Sequence, residues 1–310
     1  MGQLEDMQVF VRIVEAGSIT NAAAQLNLAK SAASKRLSDL EHRLGTKLIN
    51  RTTRTSSLTE AGSQYYQRVK LLLGEVDALN EDMACKTQVL SGSLKLALPL
   101  SFGITHLTPA INLFMLQNPQ LKIEMDFSDR RVGIIEGGFD LALRIGTLED
   151  SSLQARKITS IKQIVCASPG YLKQWGTPNT AAQLKDHQLL QYGNWALAGM
   201  PLMDQAGKQH LVNAEPYITA NNGDVLKQLA LAGHGIVMLP TFIAWDALAK
   251  GKLVPILDHY SLPTMHAYAT YPPTRYLPHK VRRFIDFLIE RFGDTPYWDS
   301  EQADEIPATP

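Results

Sequence analysis

Residues 17–62, GSITNAAAQLNLAKSAASKRLSDLEHRLGTKLINRTTRTSSLTEAG, constrain the fold more than any other part of the chain. Small and apolar residues recur there at helical spacing in two short blocks. Gly17 ends the preceding helix, Ser18 caps the first block, and Asn27-Leu28 makes the turn. The second block runs from about Lys30 to Leu44. It turns Ala33, Leu37, Leu40 and Leu44 inward and leaves Lys30, Ser31, Ser34, Lys35 and Ser38 outside, and Gly45 closes it. Leu48 to Arg51, then Thr52-Thr53-Arg54-Thr55, then Ser57-Leu58 read as a short hairpin with a basic tip. Thr59 caps a further helix. This order is that of a winged helix-turn-helix, which sets one helix in the major groove of DNA.

The flanking segments are helical. Before the motif, Leu4, Met7, Val11 and Val14 form one apolar stripe. After it, Tyr65, Val69, Leu72, Val76, Leu79 and Met83 follow each other at spacings of 4, 3, 4, 3 and 4. That heptad seam reads as a dimer coil; the alternative is a helix packed on its own domain. Ser91-Gly92-Ser93 is a linker. Strand patterns at 94–98, 121–127, 140–144, 161–167, 217–220, 235–239 and 266–271 then alternate with helical ones at 103–117, 130–137, 171–175, 224–232, 241–248 and 279–292. Such alternation predicts parallel α/β sheet. The acidic, Pro-containing stretch 299–310 reads as a frayed tail.

The chain of 310 residues has no net charge, yet the segment from Leu28 to Thr55 holds seven basic and two acidic side chains. A basic head on a mildly acidic body suits a protein that meets phosphate at one end. Cys85 and Cys166 are too few and too separated for a disulfide framework, which points to a reducing cytoplasm. The N-terminus lacks the pattern of a signal peptide, and no run approaches the ~20 apolar residues of a membrane span. We expect a cytoplasmic protein without a membrane partner. HExxH, GxSxG, a glycine-rich phosphate loop and CxxC are all missing, so an enzyme is not expected. A solute-binding module for transport is opposed by the basic head. A redox-sensing variant would need a reactive Cys166.

The words GSITNAAAQLN, SAASKRLSDLEHRLGTKL and NRTTRTSSLTEAGSQYY closely resemble the DNA-binding domain of LysR-type transcriptional regulators. The body resembles the same family through SGSLKLALPLSFG, DRRVGIIEGGFDLALRIG, GHGIVMLP and YPPTRYLPHKVRRFIDFL. The resemblance implies a multidomain α+β protein: a winged helix-turn-helix over 1–58, a linker and dimerisation helix over 59–90, and a two-lobe α/β effector domain of the periplasmic-binding-protein type over 91–310. Lobe I would take about 91–160 and 266–298, lobe II about 161–265, with crossings near 159–161 and 260–266. The implied partners are double-stranded DNA at an interrupted inverted repeat, the protein itself as dimer or tetramer, and RNA polymerase. The implied effector is a small organic anion, with no resident cofactor or metal.

By that resemblance Lys30, Ser31, Ser34 and Lys35 face base edges, and Arg51, Thr52, Thr53 and Arg54 reach the minor groove and phosphates. Arg36 and Arg43 read either as backbone contacts or as ion pairs with Asp39 and Glu41. The effector would lie between lobes, against Ser101 and Phe102 after the first strand, Arg144 and Gly146 ending the third, and Asn222 before a helix of the second lobe. Backbone amides and the Ser101 hydroxyl would hold a carboxylate. His106 and His234 read as structural. The chain departs from the family at Ala29, where a Ser or Thr cap is usual, at Lys30, where Gln or Pro is common, and at Ile49, where Phe is common.

Overall fold

The structure is a computed structural model. It describes residues 2–51, 56–84, 89–130, 133–147, 153–193, 199–273 and 277–300, with only the backbone for Arg51, Ser56 and 77–84. The chain divides into two compact units, one founded on the first ninety residues and the other on most of the remainder.

The N-terminal unit runs α1 (Gln3–Glu15), α2 (Ile19–Gln25), α3 (Lys30–Leu44), β1 (Ile49–Arg51), β2 (Ser56–Leu58) and α4 (Glu60–Ala84). β1 and β2 pair antiparallel, Ile49 opposite Leu58. Phe10, Ile13, Ala22, Ala33, Leu37, Leu40 and Leu48 are buried together. Ser18 accepts from Asn21 N at 3.1 Å to cap α2, whereas Ala29 leaves α3 without a side-chain cap. Thr59 joins hairpin to helix: its hydroxyl donates to Lys47 O at 2.7 Å and accepts from Gly62 N at 2.9 Å. Gly62 is obligatory for packing, because a Cβ there would lie 1.9 Å from Leu48 O.

Two sequence expectations shift. Leu4 and Leu44 are 41% and 40% exposed rather than inward. α1 packs on α2, α3 and α4 together, so its buried face centres on Phe10 and Ile13, to one side of the expected stripe. The heptad seam is also divided. Val69 is buried in the unit's own core, and Tyr65 packs there 5.6 Å from the Phe10 ring. Leu72 is 44% exposed and Val76 half-buried. The side chains of Leu79 and Met83 lie outside the described residues. The first turns of α4 are therefore domain core rather than coil.

The C-terminal unit begins with β3 (Gly92–Leu98), α5 (Leu100–Phe102), a π-helical turn (Gly103–Leu107) and α6 (Thr108–Gln117). Pro109 explains the π turn: it has no N–H, and the wider turn removes the clash of its ring with the preceding turn. There follow β4 (Leu121–Phe127), β5 (Leu141–Gly146), β6 (Gln154–Ile161), β7 (Gln163–Ala167), α7 (Pro169–Trp175), β8 (Leu189–Tyr192), β9 (Met200–Met203), β10 (Gln209–Val212), β11 (Ile218–Ala220), α8 (Gly223–Leu231), β12 (Ile236–Pro240), α9 (Thr241–Ala249), β13 (Val254–Pro255), β14 (Met265–Tyr271) and α10 (His279–Phe292).

Among the described residues these strands form two five-stranded sheets, β4-β3-β5-β14-β6 and β11-β8-β12-β7-β13, beside a β9–β10 ribbon. The chain leaves the first sheet at Ile161, enters the second at Gln163, and returns by β14. The sheets are mixed, not parallel. β3 pairs parallel with β4 and β5, but β14 is antiparallel to β5 and β6, and β12 is antiparallel to β7. The strand expected over 161–167 is really two, broken at Lys162 where the chain changes sheet. The helix expected over 130–137 is not formed: the described part is a turn whose Phe139 N bonds Ile134 O, with Gly138 at φ +63°.

Candidate nucleic-acid interface and ligand cavity

α3 divides cleanly. Ala33, Leu37 and Leu40 anchor it in the core, while Lys30, Ser31 and Lys35 are exposed and Ser34 half-buried on its N-terminal turns. Two groups hold the helix in place. Asp6 of α1, itself buried, takes Arg36 Nη1 at 3.3 Å and Arg43 Nη2 at 2.8 Å. The arginines are thus ion-paired, but to Asp6 rather than to Asp39 or Glu41. Glu41 turns inward: Oε1 accepts from Leu48 N at 3.0 Å and Ile49 N at 3.3 Å, and Oε2 meets Lys47 Nζ at 2.7 Å. Burial opposes its charge, but these contacts prevail and hold its carboxyl below the ordinary range. Ile49 is in the core. Glu41 therefore fixes β1 to α3, a role its place in a charged run conceals. Thr52, Thr53 and Arg54, and the Arg51 side chain, lie outside the described residues.

Between the two sheets lies a cavity of about 670 Å³. Parallel pairing puts the ends of β3 and β4 side by side, Leu98 opposite Phe127, so Pro99 to Phe102 meet Ser128 to Arg130 at one rim. Ser101, Phe102, Arg144 and Gly146 all contribute to the lining. The Phe102 ring, however, is wholly buried among Phe242, Phe292 and Trp298, so it is a wall rather than a reaching group. Asn222 is not in the lining. Its Oδ1 caps α8 by accepting from Val225 N at 3.1 Å, and its Nδ2 donates to Ser101 Oγ at 3.5 Å. Arg144 is half-buried and already engaged within the protein.

Sequence reasoning missed Asp129. Its Oδ1 accepts from Leu100 N at 2.8 Å, at the start of α5. It missed Tyr192, on the second sheet, whose hydroxyl is pushed up first by burial and then by the charge of Asp129. Asp129 follows β4 directly, so the rule that strand ends line the cleft was a usable signal for it. Tyr192 carried none.

His106 joins elements behind this cavity. Nε2 bonds Phe242 O at 2.9 Å, and Nδ1 meets the Tyr297 hydroxyl. Burial lowers its pKa to about 4 and raises that of Tyr297 to about 12. The imidazole is thus neutral, Nε2–H donating to Phe242 and Nδ1 accepting from Tyr297. The histidine is structural. Cys166 is buried, and burial raises its thiol to about 12, which opposes a reactive role there. Cys85 lies outside the described residues. No helix among the described residues is long and apolar enough to cross a membrane.

Comparison with known proteins matches residues 4–63 to the bacterial regulatory helix-turn-helix protein, lysR family, and residues 87–293 to the LysR substrate binding domain. The chain is 37% identical to an uncharacterized HTH-type transcriptional regulator of Haemophilus influenzae, over 91% of this chain and 98% of the relative. It superposes on CrgA, a LysR-type transcriptional regulator from Neisseria meningitidis, with a TM-score of 0.61 at 35% identity, covering 95% of this chain and all (100%) of that one. Full-length AphB, the Vibrio cholerae virulence activator, gives 0.59 at 30% identity, covering 93% of this chain and 99% of that one.

Proposed function

The chain belongs to the LysR family of transcriptional regulators, and on that premise we propose how its two sites work. It is a DNA-binding transcriptional regulator with a substrate-binding effector domain. Residues 1–58 bind DNA, 59–90 link and dimerise, and 91–310 bind the effector in the cavity between the sheets.

One observation carries the DNA-binding assignment: α3 presents Lys30, Ser31 and Lys35 to solvent on a base of Ala33, Leu37 and Leu40 that is fully buried. Short hydroxyls and cations on the first turns are the chemistry that reads guanine edges and phosphates. Lys30 favours guanine or phosphate where an amide would favour adenine. The wing residues Arg51, Thr52, Thr53 and Arg54 supply flanking contacts. Leu72, exposed on a helix of about 37 Å, supports pairing of two chains through α4 beyond its buried first turns. Two α3 helices then meet an interrupted inverted repeat. Ligand acts by binding one arrangement of the dimer better than another.

Lys35→Ala tests the reading. We expect specific affinity to fall about tenfold to a hundredfold on DNA selected by the native protein, measured by fluorescence anisotropy. Unchanged affinity removes Lys35 from the interface.

A further inference from the structure

We propose that the turn after α10 is a brace between the two lobes. It holds them at one angle, so that a ligand meets a cavity already formed rather than one that closes on it. This goes beyond the effector reading and does not depend on it, because the brace is read from packing within the C-terminal unit.

The chain leaves the lobe of the first sheet after Ile161 and returns to it before β14. Lobes joined by backbone crossings alone hinge open and shut around a ligand. Here a third segment spans them. α10 ends at Gly293, whose left-handed φ of +61° turns the chain aside. Gly293 O accepts from Thr159 Oγ1 at 2.7 Å, near the end of β6, so this segment starts beside the first crossing. Tyr297–Asp299 then form a 3₁₀ turn that packs on α9, a helix of the other lobe.

Two rings of that turn each meet both lobes. Trp298 is 4% exposed. Its ring lies 5.6 Å from Phe102, 5.6 Å from Phe292 and 4.4 Å from His106, all of the first lobe, and 6.3 Å from Phe242 of α9. Tyr297 sets its hydroxyl on His106 Nδ1 and its ring 6.0 Å from Trp245 of α9, edge to face. Aromatic pairs in such tilted and edge-on geometries attract beyond the area they bury. The indole Nε1 of Trp298 meets no acceptor among the described residues, so packing on the two lobes, not a hydrogen bond, keeps the ring in place. Phe102 and Phe242 also line the cavity. The turn thus stands directly behind the cavity wall. Opening the lobes would strip Trp298 from one side or the other and leave a gap in a close-packed interior.

The test is double electron–electron resonance on the full chain, without ligand or DNA. Nitroxides are placed at Lys122→Cys on β4 and Lys173→Cys on α7, exposed positions in different lobes, in a Cys85→Ser/Cys166→Ala background. Labelled chain is diluted into excess unlabelled chain, so that distances within one chain dominate. We expect one narrow distance with the native turn and a distribution about twofold wider in Tyr297→Ala/Trp298→Ala. Trp298→Leu, which keeps the site apolar, should widen it less. Trp175→Ala, which removes an exposed ring of the second lobe, should leave it unchanged. Circular dichroism confirms that each variant folds, and Trp298→Leu decides alone if the double variant does not. Turn variants as narrow as the native chain, a native chain that is already wide, or equal widening by Trp175→Ala each overturn the brace and leave the effector reading standing.

Discussion

The recognition face of α3 and the cavity between the sheets are assembled from opposite kinds of sequence. The polar groups that brace the N-terminal unit come mostly from its first sixty or so residues, and several act through near neighbours: Ser18 on Asn21, Glu41 on Leu48, Thr59 on Gly62. The cavity is closed by strand ends far apart in the chain. Asp129 caps Leu100, and β14 lies between β5 and β6 in the first sheet. Local motifs can therefore state what the first site presents. What the second accepts depends on register and on which side chain reaches which amide.

Acid should separate the two units most strongly. His106 is held neutral with a pKa of about 4 against an ordinary 6.5, so unfolding takes up a proton between those values. The stability of the C-terminal unit should be complete above about pH 6.5 and fall by about 3 kcal/mol as the pH drops to about 4. Below that, native and unfolded states are both protonated and the loss levels off. The N-terminal unit should respond later. Glu41 is lowered from its ordinary 4.5, so its contribution is present above that pH and is lost only on further acidification. Hydrogen exchange followed against pH can resolve the two. Simultaneous loss in both units would break the distinction, and His106→Phe should flatten the upper window alone.

Gly62→Ala should come next. The added methyl would meet the Leu48 carbonyl, the same segment that Glu41 and Thr59 hold. We expect the N-terminal unit to lose about 2–3 kcal/mol in urea unfolding, with DNA affinity falling alongside and ligand binding intact. The smallest effect should be a gain. Ala29 has the extended backbone of a cap, at φ −65° and ψ 142°, but no side-chain acceptor. Ala29→Ser should stabilise the same unit by about 1 kcal/mol, read in the same unfolding experiment. No gain would mean that the first turn of α3 is held by other means.

These residues also mark how far the sequence could be read. The bounds of α3, its buried Ala33 and Leu37, the Ser18 cap and the placing of Ser101 just after β3 follow from local pattern, whereas Arg144, expected at a strand end, lies inside β5. Four features did not follow from it. Asp6 was one more acidic residue in a first turn, and nothing local says that it binds two arginines of α3. Tyr65 and Val69 satisfied a heptad, but period alone does not say whether the partner is another chain or Phe10. Asp129 lay in a polar turn, and only the parallel pairing of β3 with β4 brings it to Leu100. The antiparallel return of β14 was hidden for the same reason: an apolar strand pattern carries no direction.

The most direct test is capture of genomic fragments by the purified full chain at ~150 mM salt, which suppresses binding through phosphate alone. We expect the recovered fragments to share one interrupted inverted repeat, and Lys35→Ala to recover far fewer of them. Salt-sensitive binding with no shared sequence, the same for both proteins, would contradict sequence-specific recognition by α3.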